Sequence, residues 1–259
     1  MIDNKRFSSL KDKLLRNIRI RKKLGRMFFL HIPKCGGTSV DWEFRRRFEW
    51  YSQKVSTLNP HASRIAAELT GVPLNEYRSA ILAYDLARND ISYVSGHYTF
   101  SEAIWSEYND KWPFVTILRD PVSQWYSQFF YNKYKPDSSH FRVDDSLEAF
   151  LVTERAEYVG RCYVDTLAGG PYSCLDGAIR QAEENLKKFS VVGTTERLSE
   201  FANRCEALVG CRLSFGHRNR NPAMGPNYVK DVSPELHSEV VKICHPNEKL
   251  YRFACSIHH

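Results

Sequence analysis

Residues 28–39 read FFLHIPKCGGTS, and the rest of the chain is expected to be arranged around them. Four of the first five residues are apolar, which predicts a short buried strand. A Pro-Lys-Cys-Gly-Gly turn follows, and Thr38 and Ser39 open a predicted helix. Amides at a helix N-terminus have no intrahelical acceptor, and glycines let a phosphate come close to the backbone. The stretch therefore predicts a binding site for an anion.

The lysine of this turn stands before the glycines. In the nucleotide-binding P-loop, GxxxxGK[ST], the lysine follows them, so a kinase or a GTPase fits this turn poorly. Lys34 adds a positive charge, and Thr38 and Ser39 add hydroxyl donors beside the backbone of Gly36 and Gly37. The turn is expected to be P-loop-like in construction, with a different order of residues.

A second strong signal begins at residues 112–118, WPFVTIL, the clearest predicted strand in the chain. It runs directly into Arg119, with Asp120 as the expected cap and Pro121 as the first residue of the next helix. Ser127 lies eight residues after Arg119, two turns into that helix. A guanidinium and a hydroxyl at this spacing can converge on one dianionic phosphate. The alternative is an arginine that closes the sheet edge through an ion pair with Asp120.

A third signal is Gly96-His97, which ends the alternating stretch of residues 91–95. An imidazole is well matched to taking a proton near neutral pH. Parallel α/β sheets place their sites at the carboxyl ends of strands, where Lys34 and Arg119 are also expected. His97 is therefore the predicted general base. The alternative is His61, which opens a predicted helix in a region with no predicted strand before it.

These segments resemble the motifs of sulfotransferases that use the donor 3′-phosphoadenosine 5′-phosphosulfate (PAPS). The pattern HIPKxGGTS is similar to the 5′-phosphosulfate loop of the carbohydrate sulfotransferases of the heparan 2-O and 6-O type, in which threonine is commoner where Cys35 stands. Gly96-His97 resembles the segment that carries their catalytic base. The resemblance implies that the donor is held by Lys34, Cys35, Gly36, Gly37, Thr38 and Ser39 at its 5′ end, and by Arg119 and Ser127 at its 3′-phosphate.

Two weaker matches extend the resemblance. Residues 192–198, VGTTERL, look like the strand-to-helix turn that lies beside the donor nucleotide in this family, which implies a donor-binding role for Thr195. Residues 216–221, GHRNRN, fall where family members place a loop over the donor, which implies a role for Arg218. The family pattern has one asparagine there followed by hydroxyl residues, so the two arginines depart from it.

The resemblance implies an enzyme that moves a sulfuryl group from PAPS to a hydroxyl of a carbohydrate and releases 3′-phosphoadenosine 5′-phosphate (PAP). In that reaction Lys34 neutralises charge on the leaving phosphate oxygen, His97 takes the acceptor proton, and no metal is needed. Two other classes stay open: a kinase-like phosphotransferase acting on a small metabolite, and a non-enzymatic module that binds anionic surfaces.

The 259-residue chain has a formal net charge of +7, and the excess of basic residues lies at its beginning. Residues 1–26 carry a charge of +8, so the remainder is close to neutral at −1. Nucleic-acid binding is usually marked by a basic domain face, and no such partner is expected here. We expect a basic N-terminal arm over residues 1–25, able to contact a membrane surface, and a sulfotransferase domain over residues 26–259.

No run of eighteen apolar residues occurs, and no signal peptide precedes the first strand, which favours a cytoplasmic protein. Animal carbohydrate sulfotransferases typically carry an N-terminal membrane helix, so either this is a soluble enzyme of the bacterial type or that helix lies outside this chain. The seven cysteines show no CxxC pair and no zinc spacing, so we expect reduced thiols and no metal site, with a Cys244–Cys255 bridge as the alternative.

Further along the chain, strand and helix patterns alternate. Residues 51–60 look irregular, residues 79–84 fit a strand or a helix, and Asp145 and Ser173 are the expected caps of two later helices. A short strand is predicted at residues 191–193, and a long loop at residues 214–231. The alternation predicts an α/β fold: a single P-loop-like domain with a mainly parallel central sheet flanked by helices.

Overall fold

The computed structural model describes residues 24–135, 141–216 and 232–257. The predictions about the basic arm, apart from its last two residues, and about Arg218 lie outside these ranges.

Five strands form one sheet in the order β2-β3-β1-β4-β5, and every neighbouring pair is parallel. The strands are β1 Met27–Leu30, β2 Lys54–Thr57, β3 Ile91–Gly96, β4 Phe114–Leu118 and β5 Val191–Thr194. All residues of β1, β3, β4 and β5 are buried, because helices cover both faces of a parallel sheet and its strands then become continuous apolar runs. The predicted α/β fold with a parallel sheet is confirmed.

The described residues form twelve α-helices and one short 3₁₀ turn, Thr195–Arg197. The helices are α1 Gly37–Trp50, α2 Pro60–Thr70, α3 Leu74–Ala87, α4 Glu102–Tyr108, α5 Pro121–Lys133, α6 Leu147–Leu151, α7 Glu154–Gly160, α8 Cys162–Leu167, α9 Leu175–Leu186, α10 Leu198–Val209, α11 Pro234–Ile243 and α12 His245–Ser256.

Aromatic side chains of the sheet pack on both of its faces. Phe29 of β1 meets Phe44 of α1, with ring centroids 5.8 Å apart. Its neighbour Phe28 points to the opposite face, where it packs against Phe114 at 4.9 Å and Tyr98 at 5.7 Å. Successive side chains of a strand alternate between the two faces, so the pair Phe28-Phe29 fastens β1 to both layers.

Three predictions of local structure were wrong. Residues 51–60, expected to be irregular, contain β2, a four-residue edge strand whose ends are exposed and which therefore lacks an apolar run. The helix after Asp145 is capped by Ser146, whose side chain accepts from the amide of Ala149. The helix expected to be capped by Ser173 begins at Leu175, and its N-cap residue is Cys174. Residues 79–84 belong to α3, which settles that alternative as a helix.

Cys244 and Cys255 do not form a disulfide with each other, and both thiols are free. Within the described ranges, no helix has both the length and the apolar character needed to cross a bilayer.

Gly160 ends α7 where that helix meets α11. A β-carbon at this position would overlap the backbone oxygen of Ile243. Gly160→Ala should therefore lower the free energy of unfolding by about 1–3 kcal/mol, the usual cost of overpacking. Gly170→Ala is the matched control, since nothing lies within 4 Å of its β-carbon position, and it should change stability by less than about 0.5 kcal/mol. Urea unfolding measures both values, and equal stabilities for the two variants would contradict this packing.

Candidate anion-binding and proton-transfer site

The candidate site lies at the carboxyl ends of β1, β3 and β4. Leu30, the last residue of β1, is in register with Gly96 at the end of β3 and with Thr116 of β4. The chain leaving β1 stays close to β3, because the amide of His31 donates to the carbonyl oxygen of Gly96 over 2.9 Å. β1 lies at the centre of the sheet, with β3 on one side and β4 on the other, and such a reversal of strand order is where open α/β sheets bind ligands.

The turn after β1 is an open cradle of backbone amides. Lys34 and Gly36 both have left-handed backbone conformations, with φ of 64° and 70°. Gly36 caps α1, and its carbonyl oxygen accepts from the amides of Ser39 and Val40. Within the described ranges, the amides of residues 35–38 donate to no acceptor. Amides in a turn that includes left-handed residues form a concavity that suits an anion.

Gly37 is required by the ring of His31. A β-carbon on Gly37 would overlap the Cδ2 and Nε2 atoms of that ring. The imidazole therefore packs directly against the backbone at the start of α1. The two positions of the turn need glycine for different reasons. Gly36 adopts a positive φ, and Gly37 leaves room for the ring of His31.

Lys34 points towards α5. Its Nζ atom lies 3.6 Å from the centroid of the Tyr131 ring. Burial, together with the nearby charges of Arg119 and Lys135, lowers the pKa of Lys34 to about 8. The structure thus brings Lys34 and Arg119, predicted from separate motifs, into electrostatic contact.

Arg119 emerges from the end of β4 half-buried. Across the described ranges, its guanidinium has neither a hydrogen bond nor an ion pair, and Asp120 instead caps α5 by accepting from the amide of Ser123. The alternative of an Arg119–Asp120 ion pair is therefore wrong. Ser127 lies on the following helix, α5, with its side chain half-buried, and it makes no hydrogen bond to Arg119. A shared phosphate for these two side chains remains a prediction.

His97 follows β3, and its ring is hydrogen-bonded to the backbone of His31. Its Nδ1 atom lies 2.6 Å from the carbonyl oxygen of His31. A carbonyl can only accept, so Nδ1 carries the proton and Nε2 keeps a free lone pair. Burial lowers the pKa of His97, the hydrogen bond to His31 raises it, and the nearby cation of Arg78 lowers it again. The net shift is downward, so the ring is neutral near pH 7. A neutral imidazole with a free Nε2 can accept a proton.

His31 belongs to the site although the sequence assigned it no role. Its ring centroid lies 4.6 Å from that of His97, and its own carbonyl fixes the His97 tautomer. Burial, and to a smaller extent the charges of His97 and Lys34, lower the pKa of His31 to about 3, so this ring is neutral as well. Its position directly between the strand and the Pro-Lys turn was the available signal.

The side chain of Cys35 turns into the interior. The residue is fully buried, and its thiol lies 3.2 Å from the hydroxyl of Tyr163. Burial raises the pKa of this thiol to about 12. Cys35 can therefore face an anion only through its amide.

Thr195 approaches the turn from the end of β5, with its methyl carbon 3.3 Å from the β-carbon position of Gly36.

His61 lies nearer to a strand than the sequence predicted. β2 ends at Thr57, four residues earlier, so the expectation that no strand precedes His61 is wrong. Arg78 donates to the carbonyl oxygens of Pro60 and His97, which joins the start of α2 to the site. His61 itself is exposed, and its amide is bound to the Asn59 side chain that caps α2.

No group of three or more His, Cys, Asp or Glu side chains in the described ranges could hold a metal ion.

The lowered pKa of Lys34 predicts a pH dependence of anion binding. The ammonium is present below about pH 8 and is lost as the pH rises through that value, so affinity should fall roughly tenfold between pH 7 and pH 9. Sulfate is the suitable probe, because it stays dianionic over this range. Lys34→Arg should remove the fall, since a guanidinium stays charged. A sulfate titration followed by NMR measures this, and a wild-type affinity that is flat to pH 9 would contradict the contact.

No protein-family model matches the sequence, and no curated protein matches it either. Among solved structures, the chain is similar to the crystal structure of mouse sulfotransferase SULT7A1 complexed with PAP. The two chains are 11% identical, the similarity covers 89% of this chain and 88% of that one, and the TM-score is 0.47. A likeness of this size assigns no function to the chain.

Proposed function

We propose that this chain is a sulfotransferase that moves a sulfuryl group from PAPS to a hydroxyl of a carbohydrate. The observation that carries the proposal is the arrangement at the ends of three adjacent strands. There, an amide cradle with Lys34, the Arg119 guanidinium, which has no ion pair within the described ranges, and the unprotonated Nε2 of His97 meet at one edge. Two cationic groups and a base are what transfer between an anionic donor and a hydroxyl requires.

The residues present fit a donor that carries phosphate at two positions. The amides of residues 35–38 and the Lys34 ammonium suit the 5′-phosphosulfate, with Thr38 and Ser39 at the opening of α1. The Arg119 guanidinium, with Ser127 two turns into α5, suits the 3′-phosphate. Thr195 lies beside Gly36 and suits a contact with the nucleotide. When bound, PAPS supplies a sulfuryl group joined to phosphate through one oxygen.

In this proposal His97 and Lys34 handle the two charges of the reaction. His97 takes the acceptor's hydroxyl proton at Nε2 while the hydroxyl oxygen forms its bond to sulfur, and the His31 carbonyl stabilises the imidazolium through Nδ1–H. The bond between sulfur and the phosphate oxygen breaks, and its electron pair stays on that oxygen. Lys34 neutralises the resulting charge, which contributes most at the transition state.

The carbohydrate acceptor is supported by two exposed aromatic rings, one of which contacts Lys34. Tyr131, which contacts Lys34, is 43% exposed, and Phe141 is 55% exposed. Phe141 has a left-handed backbone, φ 64°, an uncommon conformation for an aromatic residue that often marks function. The guanidinium of Arg64 lies 4.7 Å from its ring centroid, and that of Arg155 lies 5.9 Å away. Rings with cations beside them suit a sugar that carries acidic groups.

The two other classes fit the site less well. A kinase of the P-loop type would need a lysine after the glycines and a free acidic ligand for magnesium, whereas the Asp120 carboxylate is occupied as the cap of α5. A module that only binds anionic surfaces would have no use for a base whose tautomer is fixed as that of His97 is.

Sulfuryl transfer is tested directly with labelled PAPS and a panel of neutral and acidic glycans. The wild-type protein should label at least one glycan, and His97→Ala should lose about 10²–10⁴-fold in turnover while it still binds PAP, because a general base contributes that much. His61→Ala is the matched control and should keep turnover near the wild-type value. Loss of activity in His61→Ala with normal turnover in His97→Ala would reverse the assignment, and absence of transfer to any hydroxyl would refute the function.

Donor selection is tested at Arg119. Charge-assisted hydrogen bonds contribute about 1.5–3 kcal/mol, so Arg119→Ala should weaken PAP binding by roughly ten- to a hundredfold. AMP lacks the 3′-phosphate, and its affinity should change little. Calorimetric titration of both ligands measures the difference, and equal losses for PAP and AMP would show that Arg119 does not read the 3′-phosphate.

A further inference from the structure

One buried phenol joins the turn after β1 to the end of β4. The hydroxyl of Tyr163, a residue with no exposed surface, donates to the carbonyl oxygen of Arg119 over 2.9 Å. The hydroxyl oxygen of Tyr163 also lies 3.2 Å from the thiol of Cys35. Because the phenol proton is used on Arg119, the thiol is the donor in the second contact, and the phenol is nearer to it than the Pro33 carbonyl at 3.6 Å. Burial raises the pKa of both groups, so both keep their protons.

The backbone of Tyr163 is itself fixed by a hydrogen bond to a second buried residue. Tyr163 lies on α8, and its amide donates to the side-chain oxygen of Asn247 on α12 over 3.0 Å. Asn247 is fully buried, and its amide nitrogen donates to the carbonyl oxygen of Val159 over 3.3 Å. A buried network whose members are all hydrogen-bonded fixes one geometry, so the phenol cannot follow a movement of either strand end at low cost.

The two ends that the phenol joins carry the two halves of the proposed donor site. Cys35 stands between Lys34 and Gly36 in the amide cradle, and Arg119 carries the guanidinium assigned to the 3′-phosphate. We infer that Tyr163 is a positioning residue that sets the separation between the cradle and Arg119, and thereby the preference for a nucleotide with phosphate at both positions. This inference rests on the proposed function and concerns a residue 128 positions from Cys35 in the sequence.

The test compares PAP, which spans both halves, with AMP, which occupies the cradle alone. Tyr163→Phe removes one oxygen and should lower the ratio of the AMP dissociation constant to the PAP dissociation constant about three- to tenfold, the range of a lost neutral hydrogen bond. AMP affinity should stay within about twofold. Tyr172→Phe is the matched control, because it removes a phenol that donates to Asp165 on the same helix, and it should leave the ratio unchanged.

A second pair of variants tests the contact on the cradle side. Cys35→Ala removes the donor to the phenol and should lower the ratio, whereas Cys35→Ser keeps a donor and should preserve it. A purely structural role would lower the melting temperature of these variants without moving the ratio. A wild-type preference for PAP that survives intact in Tyr163→Phe and Cys35→Ala would overturn the inference alone. Equal wild-type affinity for AMP and PAP would overturn the proposed function and this inference with it.

Discussion

The site depends on the parallel pairing of β1 with strands on both of its sides. Leu30 is level with Gly96 and Thr116, and the Thr116 hydroxyl donates to the Leu30 carbonyl over 2.9 Å. When neighbouring parallel strands end in register, the loops that follow them start side by side at the same edge of the sheet. A shift of the register by one residue would turn Phe28 and Phe29 to the wrong faces, so the packing of both layers also keeps the strand ends together.

The same edge brings positively charged side chains close together. Arg119 and Lys135 lower the pKa of Lys34, and Lys34 in turn contributes to the low pKa of His31. No carboxylate in the described ranges forms an ion pair with Lys34 or Arg119. Like charges held close together in a partly buried site cost free energy, and an anion removes that cost when it binds. The parallel pairing of β1 and β4 therefore holds Lys34 and Arg119 close together, at a cost that a bound anion would lower.

Features that depend on local sequence patterns could be predicted, whereas features that depend on contacts between residues distant in the sequence could not. Strands β1, β4 and β5 contain apolar runs and β3 alternates, and the cap and first turn of α5 are local, so these elements were predicted. β2 was missed because an exposed four-residue edge strand has no such run. The role of His31 rests on its carbonyl oxygen, an atom that every residue has, and Tyr163 meets its partners only through the tertiary fold. The roles of His97, Arg119 and Ser127 in the reaction remain predictions.

The left-handed backbone of Lys34 has a consequence for how this protein can change. A residue with a β-carbon pays roughly 1–2 kcal/mol to hold φ at 64°, and glycine would hold it without strain. Lys34→Gly would thus ease the fold while it deletes the cation from the edge of the sheet. At this position thermal robustness and chemistry select different residues. A population screened for heat resistance alone should therefore become enriched in glycine at this position, whereas a screen that also requires ligand binding should retain lysine.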